Sequence, residues 1–169
     1  MRQSDFLTTV LPFKDKVFRL AKRLLVSKDE AEDATQELYL KLWKNKEKLS
    51  DYKNVEAFAM TMTKNYCLDQ LKAKRSSNLS LVHSNYSEKG VGLQRDIELK
   101  DSVDKVHELI KNLPEKQRMI IQLRDVENYE FEEIGKILDL QPTAVRVALS
   151  RARKTIREKL MKTHNYGIV

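Results

Sequence analysis

The residues with the most chemical potential in this chain are cations gathered on one stretch. Between Pro142 and Leu160, PTAVRVALSRARKTIREKL, the side chains of Arg146, Ser150, Arg151, Arg153, Lys154 and Arg157 recur along one segment. Interleaved with them, Ala144, Val145, Ala148, Leu149, Ala152 and Ile156 form an apolar stripe at helical spacing. A helix so patterned packs one face inward and offers the other to a polyanion. Just upstream, Phe131–Leu138 puts Ile134, Ile137 and Leu138 on one helical face. Asp139-Leu140-Gln141 separates the two, and Asp tolerates the left-handed conformation that a tight turn needs. Pro142 suits the first turn of a helix, where its missing N–H is not required. Gly135 lies mid-helix, where Gly costs about 1 kcal/mol against Ala, and close approach of the second helix is the expected compensation. This is the layout of a helix-turn-helix, whose second helix enters a major groove. A plain helical hairpin with a solvated basic face has the same composition, so the elements around it must decide.

Composition narrows the choice. The chain has 169 residues with a net charge of +7, a balance that calls for nucleic acid or an anionic membrane surface as partner. Hydrophobic residues make up 41% and charged residues 34%, enough for a core of modest size. Only four Gly and three Pro argue against an all-β fold, which needs frequent turn residues. Cys67 is the single cysteine, so there is no internal disulfide and no cysteine-based metal site. It reads as a small, partly buried residue. The opening MRQSDFLTTV lacks the apolar core of a signal peptide, and no apolar run reaches the roughly 20 residues of a membrane span. A soluble, cytoplasmic protein without membrane insertion is expected. No catalytic triad, phosphate-binding glycine loop, metal-ligand cluster or isolated carboxylate pair is found. His83 has no partner set for a metal. The expectation is a non-enzymatic protein with no cofactor and no small-molecule substrate.

The elements that must position the basic helix are helical as well. In Leu11–Val26, Phe13, Val17, Leu20, Ala21, Leu24 and Leu25 share a face. Ser27 with Glu30 then forms the S-x-x-E pattern of a capping box. The helix it opens runs to about Lys46 with Ala31, Ala34, Leu38 and Leu42 as its stripe. Tyr39, Leu40 and Trp43 lie off that stripe among Asp33, Gln36, Glu37 and Lys41, and either a third helix or a partner covers them. Leu49–Val55 reads as a polar loop. A third helix, about Glu56–Arg75, has Phe58, Met62 and Tyr66 in line and a basic end with Lys64, Lys72, Lys74 and Arg75. These cations either offset the helix dipole or face DNA. Ser76 to about Asp96 has no period and reads as a flexible linker. A second helical unit follows, with Leu99, Val103, Val106 and Ile110 in one helix and Met119, Ile120, Leu123 and Val126 in the next. Glu127-Asn128-Tyr129 reads as a break before the helix-turn-helix, and the last residues, from His164, read as a frayed tail. The fold expected is all-α: two small helical domains, residues 6–75 and 97–162, joined by a linker at 76–96.

That order of parts resembles the sigma-70 family of bacterial transcription initiation factors, in its short extracytoplasmic-function (group 4) branch, which keeps regions 2 and 4. DEAEDATQELYLKLW, Asp29–Trp43, is similar to the polymerase-binding helix of region 2. LPEKQRMIIQLRDVENYEFEEIGKIL, Leu113–Leu138, is similar to the start of region 4, and AVRVALSRARKTIREKL, Ala144–Leu160, to its recognition helix. The resemblance implies a three- to four-helix region 2 bundle and a region 4 helix-turn-helix. It implies as partners core RNA polymerase, through the β′ clamp helices and the β flap, promoter DNA, and an anti-sigma factor. Asp33, Gln36, Glu37, Leu40, Lys41 and Trp43 would meet polymerase. Tyr52, Lys53 and Asn54 would hold a base flipped from the −10 element, where stacking and edge hydrogen bonds are needed. Lys64, Asn65, Lys72 and Arg75 would follow the melted strand. Arg146, Val147, Ser150 and Arg151 would face bases of the −35 element, with Thr143, Arg153 and Lys154 on phosphates.

Two departures from the family pattern bear on specificity. Arg146-Val147-Ala148 replaces a common Lys/Arg-Ser-Arg run, which leaves Val147 to touch a thymine methyl. The region 2 loop lacks a frequent Arg-Gly. The other readings are a stand-alone helix-turn-helix regulator and an adaptor that binds polymerase without DNA; the cations after Pro142 argue against the adaptor. If the two halves pack together in the free chain, both DNA faces are expected to be hidden.

Overall fold

Every regular element among the described residues is a helix. The structure, a computed structural model, describes the backbone of residues 1–80 and 97–165 and the side chains of residues 1–77 and 101–163. Helix α1 (Gln3–Val10) passes through a 3₁₀ turn (Leu11–Phe13) into α2 (Lys14–Leu25), α3 (Lys28–Lys44), the single turn α4 (Lys46–Leu49) and the long α5 (Val55–Ser80). Then come α6 (Ile97–Lys111), α7 (Glu115–Ile121), a wider π turn (Gln122–Val126), α8 (Phe131–Leu138) and α9 (Pro142–Asn165). Helix α5 therefore runs on through Ser80, past the Arg75 end expected for it. His83 and the rest of the expected linker, 81–96, lie outside the described residues.

The first group of helices closes on Val17, Leu20, Ala21 and Leu24 of α2 and on Ala31, Ala34, Leu38 and Leu42 of α3, all buried. Fully burying each such leucine contributes roughly 1.5–3 kcal/mol before cavity effects. Leu49, expected in a loop, is 1% exposed and part of this core. The helix α1 falls outside the clear periodic stretches because only Phe6 and Val10 of its eight residues are buried. It matters nonetheless. The Phe6 and Trp43 rings meet edge-on at 5.0 Å, and the Tyr39 hydroxyl donates to the Val10 carbonyl at 3.0 Å. The cover over Tyr39 and Trp43 thus includes α1, while Leu40 stays 55% exposed.

Two local expectations are corrected in this half. The buried line of α5 is Ala59, Met60, Thr63 and Cys67, not Phe58, Met62 and Tyr66, which are half-buried. One residue is about 100° of rotation on a helix, and the small residues are the ones that let α5 approach α2 and α3. The Thr63 hydroxyl is satisfied by the Ala59 carbonyl at 2.7 Å. Burial pushes the Cys67 thiol up to about 12, which makes it inert. The capping box forms only by half. Ser27 Oγ accepts from the Glu30 N–H at 3.3 Å, but the Glu30 carboxylate turns to Lys74 of α5.

In the second group, Ile110, Leu113, Met119, Ile120, Leu123, Ile134, Ile137, Val145, Leu149 and Ala152 are buried. Val103 and Val126, placed on apolar lines by periodicity, are instead 52% and 42% exposed. The π turn explains Val126. The Glu127 N–H reaches the Gln122 carbonyl at 3.1 Å, one residue further back than in an α-helix. That extra residue rotates the following side chains. The helix then ends with Asn128 at φ 60, its N–H on the Arg124 carbonyl at 3.2 Å as in an αL end, and the Tyr129 N–H reaches further back to the Leu123 carbonyl at 3.0 Å. So Glu127-Asn128-Tyr129 is not a solvated break: Glu127 is 8% and Tyr129 6% exposed.

Asp139 takes the left-handed conformation its position required, φ 54 and ψ 53. Gly135 is needed for a different reason from the one expected. A Cβ there would stand 2.6 Å from the Leu140 carbonyl oxygen, and the Leu140 N–H also bonds back to the Gly135 carbonyl at 2.8 Å. The turn itself, more than the second helix, occupies the space a side chain would fill.

The two groups meet along a polar seam in which α2 and α5 pack on α7, the π turn and α8. Arg19 donates from Nε and Nη2 to the two carboxylate oxygens of Glu127 at 2.6 and 2.9 Å. The Glu127 side chain is only 2% exposed. Gln122 Nε2 reaches the same carboxylate at 3.3 Å, and Arg23 Nε donates to Gln122 Oε1 at 3.0 Å. The Tyr129 hydroxyl donates to Glu56 Oε1 at 2.5 Å, and Lys16 Nζ meets the same oxygen at 2.7 Å. Burial and this bond both hold the Tyr129 phenol far above its ordinary pKa.

Candidate nucleic-acid and polymerase interfaces

Helix α9 divides cleanly into two sides. Val145, Leu149 and Ala152 are buried against α7 and α8, with Ala148 and Ile156 half-buried beside them; Ala144, counted with the stripe by spacing, is exposed. At about 100° per residue, the opposite side carries Thr143, Arg146, Val147, Ser150, Arg151, Arg153 and Lys154 within an arc of roughly 160°. All seven are exposed.

Their local settings differ. Arg146 lies over the Phe131 ring at 4.8 Å, with Arg124 at 4.5 Å from the same ring. This cation–π contact restrains the exposed guanidinium of Arg146. Val147 is 48% exposed. The Arg153 guanidinium holds the Asp125 carboxylate, with Nε to Oδ2 at 3.1 Å, and that bond raises its pKa. Part of its charge is thus already matched. Lys154 has only an exposed Glu158 at 3.9 Å, too weak a pair to hold it.

The residues expected near the −10 element are spread over a loop and α5. Tyr52 is stacked on Phe58, with centroids 4.1 Å apart and planes 18° from parallel, which leaves one ring face and 42% of the residue exposed. Lys53 is exposed. Asn54 has a second task, since its Oδ1 accepts from the Ala57 N–H at 2.9 Å and caps α5. Lys64, Asn65, Lys72 and Arg75 share a side of α5 about 100° wide. Of these, Asn65 and Lys72 are open. Lys64 is not: its ammonium donates to the Ile137 carbonyl of α8 at 2.9 Å, and burial lowers its pKa against a small opposing effect of Asp139. Arg75 Nη2 meets Glu115 of α7 at 3.2 Å.

The helix α3 presents its expected set in the same spacing as α9. Asp33, Gln36, Leu40 and Lys41 are exposed and Glu37 is half-exposed, with Lys41 3.9 Å from Glu37 and 5.0 Å above the Tyr66 ring. Trp43 differs, being half-buried under Phe6 with the Lys46 ammonium 3.8 Å from its ring centroid. Leu40 is therefore the exposed apolar residue of this surface, and Trp43 is held by Phe6 and Lys46. The seam residues Arg19, Glu56, Gln122, Glu127 and Tyr129 had no signal in local periodicity, because each partner lies far along the chain. A buried Tyr beside an apparent helix break was the single clue.

Among the described residues there is no group of His, Cys, Asp and Glu able to hold a metal ion. No helix there is long and apolar enough to cross a membrane. Comparison with known proteins places the two helical groups. The pattern described as "Sigma-70 region 2" matches residues 10–77, and that described as "Sigma-70, region 4" matches residues 104–156. Over 168 residues the chain is 24% identical to the ECF RNA polymerase sigma factor SigW of Bacillus subtilis, covering 94% of this chain and 90% of that one. It is 29% identical over 172 residues to the ECF RNA polymerase sigma-E factor of Escherichia coli, at 94% and 87% coverage. The fold matches the sigma factor RpoE of Bartonella quintana, solved with the anti-sigma factor NepR, with TM-score 0.74, 20% identity and coverage of 93% and 97%. It also matches CnrH, solved with the cytosolic domain of CnrY, with TM-score 0.67, 17% identity and coverage of 95% and 90%. Both conserved regions, in family order and over most of the chain, make it a member of the sigma-70 family in its extracytoplasmic-function branch, a factor that directs RNA polymerase to promoters.

Proposed function

We propose that the chain acts as a two-point clamp on promoter DNA, docked on polymerase through α3. In this reading α9 enters the major groove of the −35 element. Arg146, Val147, Ser150 and Arg151 read base edges, while Thr143, Lys154 and, after release from Asp125, Arg153 meet phosphates. Tyr52, with one ring face free, stacks on a base flipped from the −10 element, and Lys53 and Asn54 line its edge. Lys64, Asn65, Lys72 and Arg75 track the melted strand. Asp33, Gln36, Glu37, Leu40, Lys41 and Trp43 form the polymerase contact, with Leu40 at its apolar centre. The observation that carries the proposal is the seven-residue outward face of α9 opposite the buried Val145, Leu149 and Ala152.

The two helical groups act as domains, the first ending with α5 and the second beginning with α6, separable along the polar seam. RNA synthesis belongs to the polymerase, and this chain supplies recognition and strand opening in the cytoplasm without chemistry of its own. The Bartonella quintana factor was solved with an anti-sigma factor, which supports such a protein as this chain's inhibitor. Holoenzyme reconstituted with this factor should direct runoff transcription from promoter fragments selected out of a genomic pool. DNA binding without polymerase-dependent initiation would refute the clamp.

A further inference from the structure

The seam contains a cleft of about 450 Å³ between α2 and the α6–π turn side, a size that suits a small molecule. The helix α2 contributes Arg19, Lys22 and Arg23 to its wall, α6 contributes His107 and Lys111, and Gln122 closes it. The three cations of α2 are treated unequally. Arg19 has the Glu127 carboxylate. Arg23 is half-buried, yet its guanidinium meets only neutral acceptors: Gln122 Oε1 at 3.0 Å and His107 Nδ1 at 3.0 Å. Lys22 is exposed to the cleft, with no hydrogen bond or ion pair among the described residues. Burial and the adjacent positive charge of Arg118 both lower the Arg23 pKa. Arg118 itself has a buried Nε with no acceptor, and its Nη1 reaches only the Lys111 carbonyl at 3.5 Å.

Buried guanidinium groups are ordinarily matched by carboxylates or other anions. The acids on this wall do not supply the match. Glu108 lies 4.0 Å from Lys111, and Asp104 is the one other carboxylate lining the cleft. Val26 at the end of α2 and Val126 in the π turn add apolar surface to the cleft, 43% and 42% exposed. Val26 holds this position at φ 68, a conformation unfavourable for a β-branched residue.

We propose that this cleft binds a small phosphorylated molecule of nucleotide size, its phosphate on Lys22 and Arg23 and its organic part against Val26 and Val126. The ligand touches α2 on one side and α6 with the π turn on the other. Its binding therefore stabilises the closed arrangement and opposes separation of the two halves. This site is independent of the DNA and polymerase faces, so its test does not depend on them.

Inorganic pyrophosphate is the probe, titrated into the full chain at constant ionic strength and followed by calorimetry and thermal melting. The expected result is one saturable site and a melting temperature several degrees higher at saturation. Arg23→Gln should weaken binding by about tenfold or more, given the strength of charge-assisted hydrogen bonds. Lys22→Gln, at an exposed position with no structural partner, should weaken it several-fold with the fold intact. Lys48→Gln, on the far side at α4, should leave it unchanged. Absence of a saturable site overturns the proposal, as does equal weakening by Lys48→Gln, which would mean general attraction to a basic protein. Loss with Lys154→Gln in place of Lys22→Gln would move the anion to the DNA face and overturn it too. If a short polyglutamate peptide raises the melting temperature through Arg23 while pyrophosphate does not, the occupant is a protein carboxylate and the proposal fails.

Discussion

The two helices proposed to meet DNA differ in sequence and in the folded chain: α9 carries seven Lys and Arg residues and α5 carries four. The outward residues of α9 are exposed, and among the described residues none of their side chains makes a hydrogen bond or ion pair to the first half. The corresponding side of α5 is partly covered, since Lys64 is bound to the α8 backbone and Arg75 to Glu115 of α7. Packing of the halves was expected to hide both proposed DNA faces; it engages Lys64 and Arg75 and leaves Tyr52, Lys53, Asn65, Lys72 and the outward side of α9 exposed. The reason is geometric. Region 4 turns α8 and α7 toward α5, and α9 sits on the far side of α8. The π turn makes this possible, because its extra residue swings Glu127 and Tyr129 onto Arg19 and Glu56. On the proposed clamp reading, the closed chain leaves the α9 face available while Lys64 and Arg75 of α5 are engaged with the second half.

The sharpest way to break this comparison is to destabilise one half and watch the other. Ile134→Ala, at a fully buried site, should cost about 2–5 kcal/mol. If the seam couples the halves, calorimetry will show a single transition shifted down. Two transitions with only one displaced would mean that the halves hold together weakly.

Next in size is the seam itself. Arg19→Ala leaves the buried Glu127 carboxylate with Gln122 as its remaining partner. Complete loss of a buried pair costs about 3–5 kcal/mol, and the partial exposure of Arg19 reduces that to roughly 1–3. The closed arrangement should lose that much, and binding of a single-stranded −10 oligonucleotide should rise while −35 duplex binding stays level. An equal rise at both would erase the asymmetry.

A comparable effect is expected at the −35 reader. Arg146→Ala should lower discrimination between promoter sequences by about 1–3 kcal/mol. Lys154→Ala should weaken holoenzyme binding evenly and reduce the salt slope by about one. Identical effects of both on every sequence would contradict the division into base and phosphate contacts.

The smallest effect sharpens the role of Asn54. Its cap on α5 is worth about 0.5–2 kcal/mol, so Asn54→Ala should lower the melting temperature of the first half. Asn54→Asp keeps the cap. Normal stability with weakened −10 binding in that variant would separate base recognition from capping, and unchanged −10 binding would leave Asn54 as a cap alone.

Much of this was legible from short-range pattern. The apolar lines of α2, α3 and α9 and the left-handed Asp139 follow from spacing and residue type, as does the exposed set of cations on α9. What escaped has one physical origin. Helix α1 is held by two buried residues that only make sense against Trp43 and Tyr39. The buried Glu127 and Tyr129 look like loop residues until Arg19 and Glu56 arrive from more than seventy positions away. Lys64 reads as a solvated cation because its acceptor is a backbone carbonyl, and every residue has one. Side-chain type advertises burial of apolar groups; it does not advertise which distant polar group will satisfy a buried charge.

Amine footprinting of the free chain puts the asymmetry to its most direct test. Lys64 and Lys72 lie on the same side of α5, and Lys154 projects from α9. With a lysine-acylating reagent and mass-spectrometric readout, Lys72 and Lys154 should react readily and Lys64 slowly, and Arg19→Ala should raise Lys64 selectively. Equal reactivity of Lys64 and Lys72 in the unmodified chain would contradict a Lys64 engaged by α8 beside an open outward side of α9.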